Sequence, residues 1–258
     1  MNQPERPDPD KLLAAVQRED TRRQRGKLKV FFGMAPGVGK TYAMLDAARR
    51  ELAAGRDLVV GDGETHGRKD TETLAKDLPA IARKVGEYRG VNLTEMDLDA
   101  LLARRPQLAL VDEFAHTNAP GSRHPKRYQD VQELLDAGID VFTTLNVQHV
   151  ESRAEAVRQI SRVNIRETIP DTLLDGADFE LVDLPPEELR ARMAAGKVYL
   201  PEAARAAQEH FSVREICQPC ESWRCVSRRS MSGRTCWRTG NLWGWLTRGS
   251  PVKRYWWR

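Results

Sequence analysis

The chain has 258 residues, enough for one large domain or two small ones, and a formal net charge of +4. All six tryptophans and all four cysteines follow residue 211, where 10 lysines and arginines stand against 2 acidic residues, compared with 31 against 35 before it. The composition therefore excludes a disulfide framework in the first 211 residues, and it places the excess of positive charge in the tail. The sequence has no run of 18 apolar residues and no signal-peptide core at its N-terminus, so we expect a soluble, cytoplasmic protein.

Residues 1–25 are rich in proline and charge, and they end in a basic stretch at residues 22–25. This composition predicts a flexible lead-in with at most a short helix over residues 11–17. The basic stretch is compatible with a solvated tether or with a contact to anionic lipid or nucleic acid.

A glycine-rich loop follows the first predicted strand. Apolar residues at 28–32 predict a buried strand, and residues 42–52 have the composition of a helix. Between them, Gly33, Gly37 and Gly39 would let successive backbone N–H groups surround phosphate oxygens at the positive end of the helix. Strand, loop and helix together predict a phosphate-binding loop.

Two side chains at the end of this loop extend the prediction to a nucleotide. Lys40 is expected to reach the β- and γ-phosphates, and the hydroxyl of Thr41 to ligate Mg²⁺. The pattern G-x-x-x-x-G-K-[ST] is displaced by one residue, because Met34 stands where its first glycine is expected and Gly33 precedes it. The alternative is a glycine-rich turn ahead of an ordinary helix.

A second buried strand is predicted at residues 57–61, followed by a polar segment at 64–68 and a short helix at 71–78. Ligands bind beyond the carboxyl ends of strands in open α/β sheets, so the polar segment would lie on the same rim as the phosphate loop. Arg68 and His66 are therefore candidates for contacting the nucleotide, with a hydrogen bond that orders the loop as the equal alternative.

The third predicted strand ends in two carboxylates. After a helix at residues 97–104, the apolar residues 108–111 run into Asp112 and Glu113. A carboxylate at the tip of a buried strand can hold the Mg²⁺ ion of a bound nucleotide, so Asp112 is expected to share this metal with Thr41. Glu113 is the predicted catalytic residue and would polarise an attacking water. The alternative is a strand end that simply enters solvent.

A polar loop at residues 116–127 leads to a predicted helix at 129–137 and a fourth strand at 139–144. The loop carries two histidines without a third soft ligand nearby, so we expect no metal site of that kind. Three polar residues follow the strand on the same rim: Asn146, Gln148 and His149. An amide such as that of Gln148 is expected to sense the γ-phosphate or to position water.

The remaining segments continue the alternation of strands and helices. They are a helix at residues 151–160, short strands at 164–168 and 179–182, a helix that begins within residues 183–188, and a helix at 202–208. This order predicts an α/β fold of the P-loop NTPase type, a three-layer α/β/α arrangement in which helices cover both faces of a parallel sheet. We predict one nucleotide-binding domain over residues 26–211.

Several segments together resemble the N-terminal cytoplasmic domain of the KdpD family of potassium-sensing histidine kinases. These segments are residues 32–45, 64–69, 111–118, 123–128, 143–149 and 182–186. The resemblance implies a nucleotide-binding loop made of Gly33, Pro36, Gly37, Val38, Gly39, Lys40, Thr41 and Tyr42. The sequence departs from the family at Met34, where a small residue is usual, and at Asp62, where an apolar residue is usual.

The resemblance also implies a function. It points to an ATP-binding regulatory domain, at the cytoplasmic side of the inner membrane, in a two-component sensor that controls potassium uptake through a response regulator. The family's membrane helices and kinase core have no counterpart in this chain, which would be at most a weak ATPase. Slow hydrolysis and nucleotide sensing without turnover both stay open, and Arg68, Arg123 and Arg127 are all candidates for a phosphate-contacting arginine.

Residues 212–258 form a basic tail, rich in tryptophan and cysteine, for which we expect disorder. Codons exist for this segment that, read in another frame, would encode a helix like the one the family has at this point, so our hypothesis is a frameshift near residue 212. Cys217 and Cys220 have the spacing of a zinc pair, but Cys225 and Cys236 do not repeat it. A further alternative is nucleic-acid binding by stacking and charge.

Overall fold

The computed structural model of the chain describes residues 24–63, 69–88, 91–161, 165–194 and 253–254. The strands are β1 Leu28–Gly33, β2 Leu58–Asp62, β3 Lys84–Tyr88, β4 Val91–Glu95, β5 Leu108–Val111, β6 Asp140–Asn146, β7 Asp178–Val182 and β8 Lys253–Arg254. The α-helices are α1 Lys40–Ala53, α2 Lys69–Ala75, α3 Leu98–Arg104, α4 Arg127–Asp136, α5 Glu151–Ser161 and α6 Pro186–Ala194. Short 3₁₀ helices occupy Val147–His149 and Asp171–Leu174.

The main sheet is parallel and has the strand order β2-β5-β6-β1-β7-β8. β1 lies inside the sheet between β6 and β7, and five of its six residues are buried. A strand hydrogen-bonded on both sides and covered on both faces requires an apolar sequence, which explains the run that precedes the glycine-rich loop. The loop therefore leaves the sheet near the middle of its carboxyl edge.

Two hydrophobic cores lie on opposite faces of this sheet. Successive side chains of a strand point to opposite faces, so Phe31 packs in one core with Met44 of α1, while Val30 and Phe32 pack in the other with Leu134 of α4. The rings of Phe31 and Phe142 make an edge contact at 5.6 Å between centroids. The predicted three-layer α/β fold is confirmed.

The antiparallel pair β3–β4 forms a second, two-stranded sheet that the sequence did not predict. The exposed side chain of Val85 shows why, because this strand does not have the buried apolar run by which the strands of the main sheet were recognised. The pair nevertheless brings Glu95 to a buried ion-pair network described below.

The predicted strand at residues 164–168 is wrong for the part that the structure describes. Residues 165–168 have no regular structure, and only Ile169 forms an isolated bridge, to Val150. The backbone there bonds to the 3₁₀ turn after β6 instead of to the sheet: the Ile169 N–H donates to the carbonyl of His149. The predicted helix at 71–78 is shifted, since α2 spans Lys69–Ala75.

Several predictions lie outside the described residues. These are the lead-in helix at 11–17, the contacts of His66 and Arg68, the helix beginning at 202, and most of the tail. In the described ranges, none of the helices has the length and apolar character needed to cross a membrane.

Candidate functional site

The glycine-rich loop turns through two glycines with left-handed backbones. Gly37 has φ of 82° and Gly39 has φ of 103°, a region in which a side chain is strained. Gly39 is the N-cap of α1, and no side chain caps this helix end. Its backbone N–H groups and positive dipole are therefore directed at the space above the loop, where an anion is stabilised.

Gly33 is required for a different reason, namely the close approach of its neighbours. A Cβ at this position would lie 2.8 Å from Cδ of Lys40 and 2.8 Å from Cγ2 of Val38. The Lys40 side chain folds back along the loop, where its Nζ donates to the carbonyl of Ala35 at 3.3 Å. Met34, at the displaced position of the pattern, packs against the core that contains Phe32.

Thr41 and Asp112 are brought together across the sheet edge. The Thr41 hydroxyl, at the start of α1, donates to Oδ2 of Asp112, just after β5, at 2.9 Å. Asp112 is 1% exposed, and its Oδ1 accepts from the hydroxyl of Thr144 and from the backbone N–H of Glu113 at 3.0 Å. The carboxylate is thus held in one orientation beside the glycine-rich loop. Hard cations such as Mg²⁺ prefer a pair of oxygen donors of this type.

A cleft of about 160 Å³ opens at this position. It is lined by Pro36, Gly37, Gly39, Lys40, Thr41, Asp112, Glu113, Phe114, Ala115, His116, Thr144, Leu145, Asn146, His149 and Glu167. Seven predicted site residues are therefore gathered around one space. Four others lie outside the lining: Gly33, Val38, Tyr42 and Gln148.

Comparison with known proteins identifies the family. The sequence matches the osmosensitive K⁺ channel His kinase sensor domain, KdpD, over residues 24–219. The sensor protein KdpD of Escherichia coli K12 is 56% identical over 211 residues, 81% of this chain and 23% of that protein. The sensor protein KdpD of Clostridium acetobutylicum is 52% identical over 208 residues, and the putative sensor protein KdpD of Synechocystis sp. is 49% identical over 193 residues.

The chain belongs to the KdpD family. The residues matched to the Clostridium relative are 80% of this chain and 23% of that relative. The residues matched to the Synechocystis relative are 74% of this chain and 52% of that relative. The chain thus spans about a quarter of the first two KdpD relatives and about half of the third.

In this KdpD domain Glu113 has an unusual backbone. Its φ of 55° is left-handed, and its N–H donates to Oδ1 of Asp112 and, at 3.2 Å, to the hydroxyl of Thr144. Its carboxylate lies 3.5 Å from Nδ1 of His116 and is 44% exposed. Glu113 therefore faces the cleft from a fixed backbone with a partly solvated side chain.

His149 and Glu167 form a second wall of the cleft in the KdpD domain. Nδ1 of His149 lies 2.7 Å from the Glu167 carbonyl oxygen, and the amide of Gln148 approaches Nε2 of His149 at 3.4 Å. Burial lowers the pKa of His149, and the charge of Lys40 acts in the same direction, against the hydrogen bond and charge of Glu167. The sequence placed His149 on this rim but gave no signal for Glu167, because that residue lies in a segment predicted as a strand.

Arg127 anchors a buried ion-pair network behind the cleft. It is 3% exposed, its Nη1 donates to the carboxylate of Asp62 and to the carbonyl of Asp112 at 3.3 Å, and its Nη2 donates to Oε2 of Glu95 at 2.9 Å. Asp62 also pairs with Arg83 at 2.8 Å. The departure from the KdpD pattern at Asp62 is therefore compensated by two arginines.

This geometry bears on the choice of a phosphate-contacting arginine. Arg127 is committed to the network, and Arg123 pairs with Asp99 at 2.8 Å and with Glu133 at 2.6 Å. Neither residue lines the cleft. Arg68 lies outside the described residues, so its predicted contact stays a prediction.

Proposed function

We propose that the chain is an ATP-binding regulatory domain that holds MgATP in the cleft between α1 and the end of β5. The loop backbone at the N-terminus of α1 surrounds the phosphates, and Lys40 turns from the Ala35 carbonyl to the β- and γ-phosphates. Thr41 would ligate Mg²⁺ through its hydroxyl, and Asp112 would supply a second oxygen for the ion. This arrangement uses the chemistry of a phosphate-binding loop.

The contact between the Thr41 hydroxyl and the Asp112 carboxylate, at 2.9 Å, is the observation that carries the proposal. The two residues are 71 positions apart in the sequence, and both are oxygen donors at the mouth of the same cleft. Mg²⁺ bound to a nucleotide takes few protein ligands and completes its shell with phosphate oxygens and water. Thr41 and Asp112 would supply the protein's share of that shell.

The family membership supports the biological setting of this site. In a KdpD sensor, nucleotide bound here would change the balance between the kinase and phosphatase activities that act on a response regulator. It would thereby regulate potassium uptake. We place the domain at the cytoplasmic side of the inner membrane, as the relatives' sensor role suggests. The kinase core of the family would act elsewhere in such an assembly.

Three further residues complete the proposed site. Glu113 is a candidate to polarise a water near the γ-phosphate, Arg68 would contact a phosphate from the segment after β2, and Gln148 would sense the γ-phosphate or position water. We expect turnover at this site to be slow at most.

Lys40→Ala tests the proposal. The variant should lose most of its affinity for MgATP while keeping its far-UV circular dichroism, because the side chain is partly exposed and outside both cores. Lys76→Ala, at an exposed lysine outside the cleft lining, is the matched control and should bind as the wild type does. Equal affinity in the Lys40 variant and the wild type would refute the site.

A further inference from the structure

His149 occupies the turn directly beside the glycine-rich loop. It lies in the 3₁₀ helix Val147–His149, which follows β6, and the last residue of β6, Asn146, is in register with Gly33 of β1. His149 lines the same cleft as Lys40 and Asp112. His149 therefore borders the space assigned to the phosphates.

Two hydrogen bonds from residues 167–169 hold His149 in position. The backbone N–H of Ile169 donates to the His149 carbonyl at 2.8 Å, and Nδ1 of the ring lies 2.7 Å from the carbonyl oxygen of Glu167. A carbonyl oxygen can only accept, so Nδ1 carries the proton. On the neutral ring, Nε2 is then left with a lone pair.

The polar groups around Nε2 agree with this tautomer. The amide of Gln148 donates to Nε2 at 3.4 Å, near the long limit for a hydrogen bond, so a better donor can replace it. Burial holds the pKa of His149 below its ordinary value, and Lys40 on α1 adds to this effect, whereas Glu167 opposes it. Glu113 and His116, after β5, face the same cleft.

A lone pair held in a fixed direction beside a phosphate site can accept a hydrogen bond from a water molecule. We propose that Nε2 of His149 orients the water that attacks the γ-phosphate of bound ATP. This inference rests on the proposed function and adds a catalytic residue to the same site. In this step the water oxygen bonds to Pγ while the bond from Pγ to the β–γ bridging oxygen breaks, and its electron pair stays on ADP. The proton of the water passes to Nε2 and then to bulk solvent, so that ATP and water give ADP, inorganic phosphate and a proton.

Glu113 is the competing candidate for this role. Its carboxylate is 44% exposed and lies 3.5 Å from His116, so solvent and a second ring both compete for its oxygens. His149 has its other ring nitrogen bonded to a backbone carbonyl, which makes its orientation independent of side-chain rearrangement. The geometry therefore favours His149 as the acceptor.

Two substitutions separate the two nitrogens of the ring. In His149→Asn the amide NH₂ can replace Nδ1 as donor to Glu167, but nothing replaces Nε2, whereas in His149→Gln the longer amide can present an oxygen near the Nε2 position. We would measure phosphate release by the full chain at saturating MgATP, and MgATP affinity separately. His124→Asn is the matched control, because His124 pairs with Glu133 at 2.8 Å and does not line the cleft.

His149→Asn should bind MgATP within about twofold of the wild type and release phosphate about 100-fold more slowly, with partial activity in His149→Gln and none lost in His124→Asn. Wild-type turnover in His149→Asn, or a loss confined to Glu113→Gln, would overturn the assignment. A wild type that binds MgATP but releases phosphate no faster than Lys40→Ala would also overturn it and leave the binding proposal intact. A wild type that does not bind MgATP would overturn both.

Discussion

At the scale of single residues, Gly33 sets how closely Lys40 can lie along the loop. Replacing it by alanine would place a methyl group 2.8 Å from the Lys40 and Val38 side chains, and Val38, being buried and β-branched, has little freedom to move. We expect Gly33→Ala to weaken MgATP binding about tenfold or more, in line with an overpacking cost of about 1–3 kcal/mol. Gly86→Ala is the control, because no atom other than those of its chain neighbours lies within 4 Å of a Cβ there. Equal MgATP affinities for Gly33→Ala and Gly86→Ala, measured by calorimetry, would contradict this role of Gly33.

His149 also makes a prediction about pH, since burial lowers its pKa from an ordinary value of 6.5. Below about pH 6.5, His149 binds a proton in the unfolded chain but stays neutral in the folded chain until the pH reaches its lower pKa. The free energy of unfolding should therefore fall as the pH decreases from 6.5 toward the lower pKa of the folded state. Urea unfolding at pH 7.5 and 5.5 measures this loss, and His149→Asn should lose less stability than the wild type. Identical losses in the two proteins would show that His149 does not titrate in this window.

The sequence predicted the residues at this edge of the sheet better than it predicted the side chains and carbonyls that they contact. The placement of Lys40, Thr41 and Asp112 at one edge of the sheet was predictable, because each lies just beyond the carboxyl end of a buried strand. The contact of Asp112 with Thr144 and that of His149 with Glu167 were not predictable, because a threonine inside a buried strand and a glutamate in an irregular segment have no pattern of their own. Those partners depend on the sheet register, which only the folded chain fixes.

At the scale of elements, Arg127 joins the ends of β2, β4 and β5 at the start of α4. Removing one member of a buried ion pair leaves a charge without compensation and costs about 3–5 kcal/mol. We expect Arg127→Met to destabilise the fold by this amount, because Glu95 and Asp62 both lose a cation. Arg123→Met, whose ion pairs are exposed, should cost less than about 1 kcal/mol. Urea unfolding of both variants gives the comparison, and equal costs would show that the buried network contributes no more than a surface pair.

The strands that were predicted differ from those that were missed in how much of their surface is buried. Buried parallel strands have long apolar runs, which is why β1, β2, β5, β6 and β7 were predicted. The β3–β4 pair is stabilised by its own ladder and leaves Val85 exposed, so its sequence has no such run. Residues 165–168 look apolar enough for a strand only at Ile165, and their backbone partners are in the 3₁₀ turn at His149.

At the scale of the whole molecule, binding of a ligand to the folded state alone must raise stability. At a MgATP concentration of 100 times its dissociation constant, the gain is about 2.7 kcal/mol. For a domain of this size we expect the melting temperature to rise by about 5–10 °C. The Lys40→Ala variant should show no such rise at the same concentration. A wild-type melting temperature that does not change with MgATP would contradict binding to the native fold.

Calorimetric titration of the full chain with ATP, in Mg²⁺ and in EDTA, tests the central claim most directly. The claim is that the Thr41 hydroxyl and the Asp112 carboxylate, 2.9 Å apart beside the glycine-rich loop, hold the metal of a bound nucleotide. We predict saturable binding of one ATP per chain with Mg²⁺ and a clear loss of affinity in EDTA. Affinity that is the same in both buffers, or the absence of binding in either, would contradict it.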